Sequence, residues 1–85
     1  MSKLDKAKAR ILSKPKDYTY TEARYLLSKL GFEEFSKGKT SGSRMKFFRK
    51  SDDRAILLHK PHPEDEMDVG AVKDLVEFLE GLGEL

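Results

Sequence analysis

Ser43-Arg44-Met45-Lys46-Phe47-Phe48-Arg49-Lys50-Ser51-Asp52-Asp53-Arg54-Ala55-Ile56-Leu57-Leu58-His59-Lys60 is the stretch on which the fold turns. Successive side chains of a strand point to opposite faces. Residues 43–50 therefore put Met45 and Phe47 on one face and Arg44, Lys46 and Phe48 on the other. Ser51-Asp52-Asp53 reads as a turn, because short polar side chains bond to nearby backbone. Residues 54–60 form the next strand, with Ala55, Leu57 and His59 alternating with Ile56 and Leu58. Apolar residues on both parities predict the central or better buried strand of the sheet.

Outward from this hairpin, residues 32–36 give a short first strand. Lys37-Gly38-Lys39-Thr40-Ser41-Gly42 is too polar and glycine-rich for anything but a loop. Upstream, Thr19 and Glu22 have the spacing of a capping box, and Ala23, Leu26, Leu27 and Leu30 fall on one helical face with Tyr20 close to it. Gly31 stands where a left-handed residue ends a helix, and Phe32 follows to pack back. Leu4, Ala7, Ile11 and Leu12 predict an earlier helix, capped by Ser2 and ended near Lys14 by Pro15. Downstream, Pro61-His62-Pro63 cannot continue a ladder. Asp68 caps a last helix, with Met67 and Val72 as a hydrophobic staple, Val72, Leu75, Val76 and Leu79 as its buried stripe, and Gly81 and Gly83 at its end. Glu64-Asp65-Glu66 places negative charge near the positive end of that helix. The expected class is α+β, in the order α-α-β-β-β-α: a three-stranded antiparallel sheet with helices on one face.

The chain has 85 residues, 38% of them hydrophobic and 38% charged. Such a chain buries roughly 60–65% of its unfolded surface, enough for one thin core, so a single domain over 1–85 is expected. No apolar run approaches the ~20 residues of a membrane span, and the first residues lack the apolar core of a secretory signal; a cytoplasmic location and no membrane partner are expected. The absence of cysteine excludes disulfides, thiol nucleophiles and thiolate zinc sites.

The net charge of +2 conceals an asymmetry. Residues 1–50 carry 14 Lys/Arg against 5 Asp/Glu, a net of +9, and residues 51–85 carry 3 against 10, a net of −7. Either the halves neutralise each other in the fold, or a cationic face awaits an anionic partner, with nucleic acid the first candidate.

Three features in order resemble the HicA (YcfA-like) family of bacterial toxin–antitoxin toxins. They are a helix ending in Leu30-Gly31-Phe32; Gly42-Ser43-Arg44-Met45-Lys46-Phe47, similar to the family's Gly-Ser-His-x-x-Phe; and His62 eight residues before Gly70, followed by Ala71-Val72 and a closing helix. The resemblance covers residues 19–82, leaves the helix within 1–14 as an addition, and marks a divergent branch. It implies a fold like a double-stranded-RNA-binding domain, a metal-independent endoribonuclease acting on messenger RNA, and a HicB-like antitoxin. It also maps the family's catalytic histidine onto Arg44. Arginine stays protonated and cannot serve as a general base.

Cutting RNA without metal requires a proton taken from the 2′-hydroxyl, a proton given to the leaving oxygen, and stabilisation of the phosphorane. Arg44 can fork onto phosphate. His59 and His62 are the groups whose ordinary pKa lies near neutrality. These three are the candidate catalytic residues. Lys37, Lys39, Gly42, Ser43, Lys46, Phe48 and Arg49 are the candidate RNA contacts, with Phe48 able to stack a base. Alternatives stand beside each. His59 suits an edge-of-core position, and His62 suits the ordering of a proline loop. Arg44 and Lys46 suit a solvated strand face, and Phe48 suits packing on the N-terminal helix. Leu82 and Leu85 suit either the core or a protein contact. No cofactor or metal is expected: residues 38–42 lack phosphate-loop spacing and lead into a strand, and His59 and His62 have no evident third ligand.

Overall fold

Polar caps set the helix boundaries. In the computed structural model, which describes residues 2–36, 44–61 and 64–85, the Ser2 hydroxyl accepts from the Asp5 N–H at 3.1 Å and opens α1 (Lys3–Leu12). The capping box forms in full at the head of α2 (Tyr20–Lys29). Thr19 Oγ1 accepts from the Glu22 N–H and Glu22 Oε1 accepts from the Thr19 N–H, both at 3.1 Å. Arg10 of α1 donates to the same carboxylate and pairs with Asp17 at 3.3 Å. Chiefly through the Arg10 hydrogen bond, the Glu22 carboxyl is held below its ordinary pKa. Thr19→Ala is expected to cost about 1 kcal/mol, read as a lower urea midpoint with an unchanged slope; an unmoved midpoint would mean that the other contacts at this end of α2 hold it without the Thr19 hydroxyl.

α2 ends as expected. Gly31 lies at φ +95°, its N–H bonds Ser28 O at 3.2 Å, and the Phe32 N–H reaches back to Leu27 O at 2.9 Å. This is the paired bonding that a left-handed C-terminal residue permits. The same device closes α3 (Val69–Gly81) at Gly83, where the Glu84 N–H bonds Leu79 O at 3.0 Å. Gly81, expected to share in that ending, is the last residue of the helix.

Between the helices lie β1 (Glu33–Ser36), β2 (Arg44–Arg49) and β3 (Arg54–His59), antiparallel in the order β1-β2-β3. Class and element order are those read from the sequence. Phe32, read as the start of the first strand, belongs to the helix ending, and its ring lies 5.8 Å from that of Phe78 in α3.

The expectation that the third strand is central is corrected: β2 is central and β3 is an edge. Two unlike faces produced its misleading pattern. Ile56 and Leu58 turn inward, while Ala55 and Leu57 lie on the face that the helices leave open, with Leu57 49% exposed. Met45, Phe47, Ile56 and Leu58 meet the stripes of α2 and α3. α1 packs on α2 and α3 and buries Ile11. The reading that gave α1 a role against Phe48 is therefore also corrected. Leu82 and Leu85 are half-buried against the core, so they complete it.

The segment before α3 reaches across to α2. Thr19 and Glu66 form an antiparallel bridge, the Met67 N–H bonds Tyr18 O at 2.8 Å, and Asp65 O accepts from the Tyr20 N–H at 2.7 Å. Asp65 Oδ2 also accepts from the Thr21 N–H and hydroxyl, at 3.2 and 2.6 Å. Charge expected at the head of α3 thus serves the head of α2, where free N–H groups favour a carboxylate. At α3 itself, Asp68 bonds the Gly70 N–H, and Met67 and Val72 are buried on either side of it.

Candidate functional site

The open face of the sheet carries three rows of side chains fixed by strand register. Arg44 stands directly opposite His59. The next row is Phe35–Lys46–Leu57, and the last is Glu33–Phe48–Ala55. Directly opposed residues hold their Cβ atoms about 5 Å apart, and neighbouring rows on one face are separated by about 7 Å. Arg44 opens the central strand and His59 closes the edge strand, so hairpin register alone brings the guanidinium and the imidazole to one end of one face. Both are exposed. His59 shares that face with exposed Ala55 and Leu57. It also borders a hollow of about 290 Å³ between β3 and α3, lined by Ile56, Leu58, Ala71 and Asp74.

Further along the face, the Lys46 ammonium lies 5.6 Å from the Phe48 ring centroid, and Phe35, Lys46 and Phe48 line a slot of about 320 Å³. Phe35 is 46% exposed. Neither Phe35 nor Leu57 was singled out by the sequence reading. The available signal was the parity of residues 33 and 35 against 32 and 34, which means little until β1 is aligned with β2.

Arg49, counted among the candidate RNA contacts, faces the other way. Its guanidinium pairs with Asp52 and with Glu84, each at 2.7 Å, donates to Leu30 O at 3.0 Å, and lies 4.8 Å from the Phe32 ring centroid. The hydrogen bonds to Asp52, then those to Glu84, push its pKa up. Arg49 ties the turn after β2 to the ends of α2 and α3, and its place on the inner parity of β2 is the physical reason it does not join Arg44 and Lys46. Among the described residues, it alone carries ion pairs from the basic half of the sequence to the acidic half. The other pairs, Arg10 with Asp17 and Glu22 and Arg24 with Glu34, lie within the basic half. Lys37, Lys39, Gly42, Ser43 and His62 lie outside the described residues.

A family model described as the HicA toxin of bacterial toxin–antitoxin systems matches residues 20–83. The chain belongs to the HicA toxin family. Membership carries a toxin role and an antitoxin partner. The match includes the whole sheet, α2 and α3; α1 precedes it. Comparison with curated proteins and with solved structures returns no match. Among the described residues no helix is long and apolar enough to cross a membrane.

Proposed function

We propose that this HicA-family toxin binds RNA on the open face of its sheet and cuts messenger RNA without a metal ion. The observation that carries this reading is the direct cross-strand pairing of Arg44 with His59 on an exposed face that also presents Lys46 and Phe48. In the proposed reaction the 2′-oxygen attacks the adjacent phosphorus, a new P–O bond forms, and the bond to the 5′-oxygen breaks. One imidazole takes the 2′ proton and a second gives a proton to the leaving oxygen; His59 and His62 fill these roles. Arg44 forks onto the phosphate and offsets the charge gathering there, the one task of the three that a permanently charged group can perform. Lys46, Phe48 and the loop residues Lys37, Lys39, Gly42 and Ser43 hold the strand of RNA. A HicB-like antitoxin silences the toxin by covering this face.

The first test is RNA binding by the full chain across a salt series in chelator, with cleavage followed in parallel. Contact with about five phosphates of single strand gives a log–log salt slope of ~−3.5. Binding with no cleavage in chelator would remove the enzymatic half of the reading. The arginine at the family's histidine position specifically favours that outcome, a non-catalytic RNA-binding module. No binding even at low salt would remove both halves and leave a surface for protein contacts alone.

A further inference from the structure

We infer that the slot between Phe35 and Phe48 receives one unpaired nucleobase, so that the RNA this protein engages is single-stranded at a position within about two nucleotides of the phosphate held by Arg44. The inference rests on the RNA reading above and adds to it a subsite, a residue and a class of substrate.

Its geometry follows from register. Phe35 is directly opposite Lys46, so Phe35 and Phe48 are diagonal neighbours across β1 and β2. Diagonal neighbours on one face lie about 7–8 Å apart. A flat ring in contact with a plate on each side needs about 3.5 Å to each, which matches that spacing. The slot of about 320 Å³ is at the small end of ligand-site sizes, suited to one base. Phe35 is 46% exposed although it is large and apolar, and the helices that cover the rest of the core all lie on the opposite face.

Charge indicates how the strand runs. Lys46 forms one wall, Arg44 lies one row beyond it, and the carboxylate of Glu33 stands at the opposite end of the face. A base in the slot thus has its phosphate drawn toward Lys46 and Arg44. The Lys46 ammonium, 5.6 Å from the Phe48 ring, is positioned to leave that ring for a phosphate once a base takes its place. Duplex RNA is a poor occupant, because its bases are stacked and paired, whereas these walls need an open base face. A protein segment with an apolar side chain would use the hydrophobic area but not the two rings and the adjacent cations together.

The test uses the full chain and a labelled 2′-O-methyl oligonucleotide of about twelve residues, which cannot be cut and spans a typical single-strand site. Phe35→Ala and Phe48→Ala are each expected to weaken its binding roughly 5- to 100-fold, with Phe35→Tyr restoring it and Phe35→Leu not. Scanning an abasic position along the oligonucleotide should find one site where the base contributes as much as Phe35 does, and where Phe35→Ala causes no further loss. The same sequence as a duplex should compete weakly. Undiminished binding by Phe35→Ala, or equal binding of the duplex, overturns the inference and leaves the RNA reading standing. Failure of the unaltered protein to bind the single strand at low salt overturns the RNA reading itself. Loss of antitoxin binding in Phe35→Ala with RNA binding intact would reassign the slot to the protein partner.

Discussion

Phe47→Ala is expected to destabilise the protein by about 3–5 kcal/mol, the largest loss from any single side chain of the sheet. Phe47 sits mid-way along the central strand, is 1% exposed, and packs its ring 6.1 Å from that of Tyr20 at the start of α2. Removing it takes the contact between sheet and helix layer out of a core that has little reserve, since stability for a chain of this length is on the order of 4–13 kcal/mol. Urea denaturation followed by circular dichroism measures the effect, with Phe48→Ala as its control. Phe48 is the next residue on the same strand but faces outward, so its truncation should leave the urea midpoint nearly unmoved. Equal losses in the two variants, or a larger one at Phe48, would mean that β2 presents its other face to the helices, and both the fold and the site would have to be redrawn.

His59→Ala is expected to lower RNA cleavage by ~10²–10⁴-fold, the usual contribution of a positioned acid or base, while the affinity for uncleavable RNA stays close to that of the unaltered chain. His59 is exposed at the end of an edge strand, so a fall in cleavage with folding and affinity retained separates chemistry from structure. Its companion is Arg44→His, which places a second imidazole directly across from His59. Cleavage that appears only in Arg44→His would make the natural protein an RNA-binding toxin without nuclease activity. Cleavage that persists in His59→Ala would remove this imidazole from the reaction. The measurement is initial rates on a single-stranded substrate in chelator, with circular dichroism as a check on folding.

The uneven legibility of this chain has a physical pattern. The capping box of Thr19 and Glu22, the left-handed Gly31 and the two faces of β2 were readable because each depends on residues within about four positions, and helix periodicity and strand alternation are equally short-ranged. The same reach brought Arg44, Lys46 and Phe48 onto one face. Family resemblance then supplied what spacing alone does not, the toxin identity.

Strand order was not legible. Ala55, Ile56, Leu57 and Leu58 look alike to any local rule, and only the pairing of β2 with both neighbours left β3 at the edge with Leu57 in the open. Asp65 reads as a partner for the nearest helix, yet chain reversal carries it to α2, forty-four positions away. Arg49 resembles one more cation of a basic strand until Glu84 and the carbonyl of Leu30 arrive from two other elements.

Short-range chemistry along the chain settles the elements, their caps and the two faces of β2, because those are properties of a few consecutive residues. Only the folded whole decided which strand is central, that Phe35 joins Phe48, and that Arg49 is withdrawn into ion pairs with Asp52 and Glu84. Those outcomes are set by contacts between distant segments, whose free energy exists only once the sheet and helices have closed on one another.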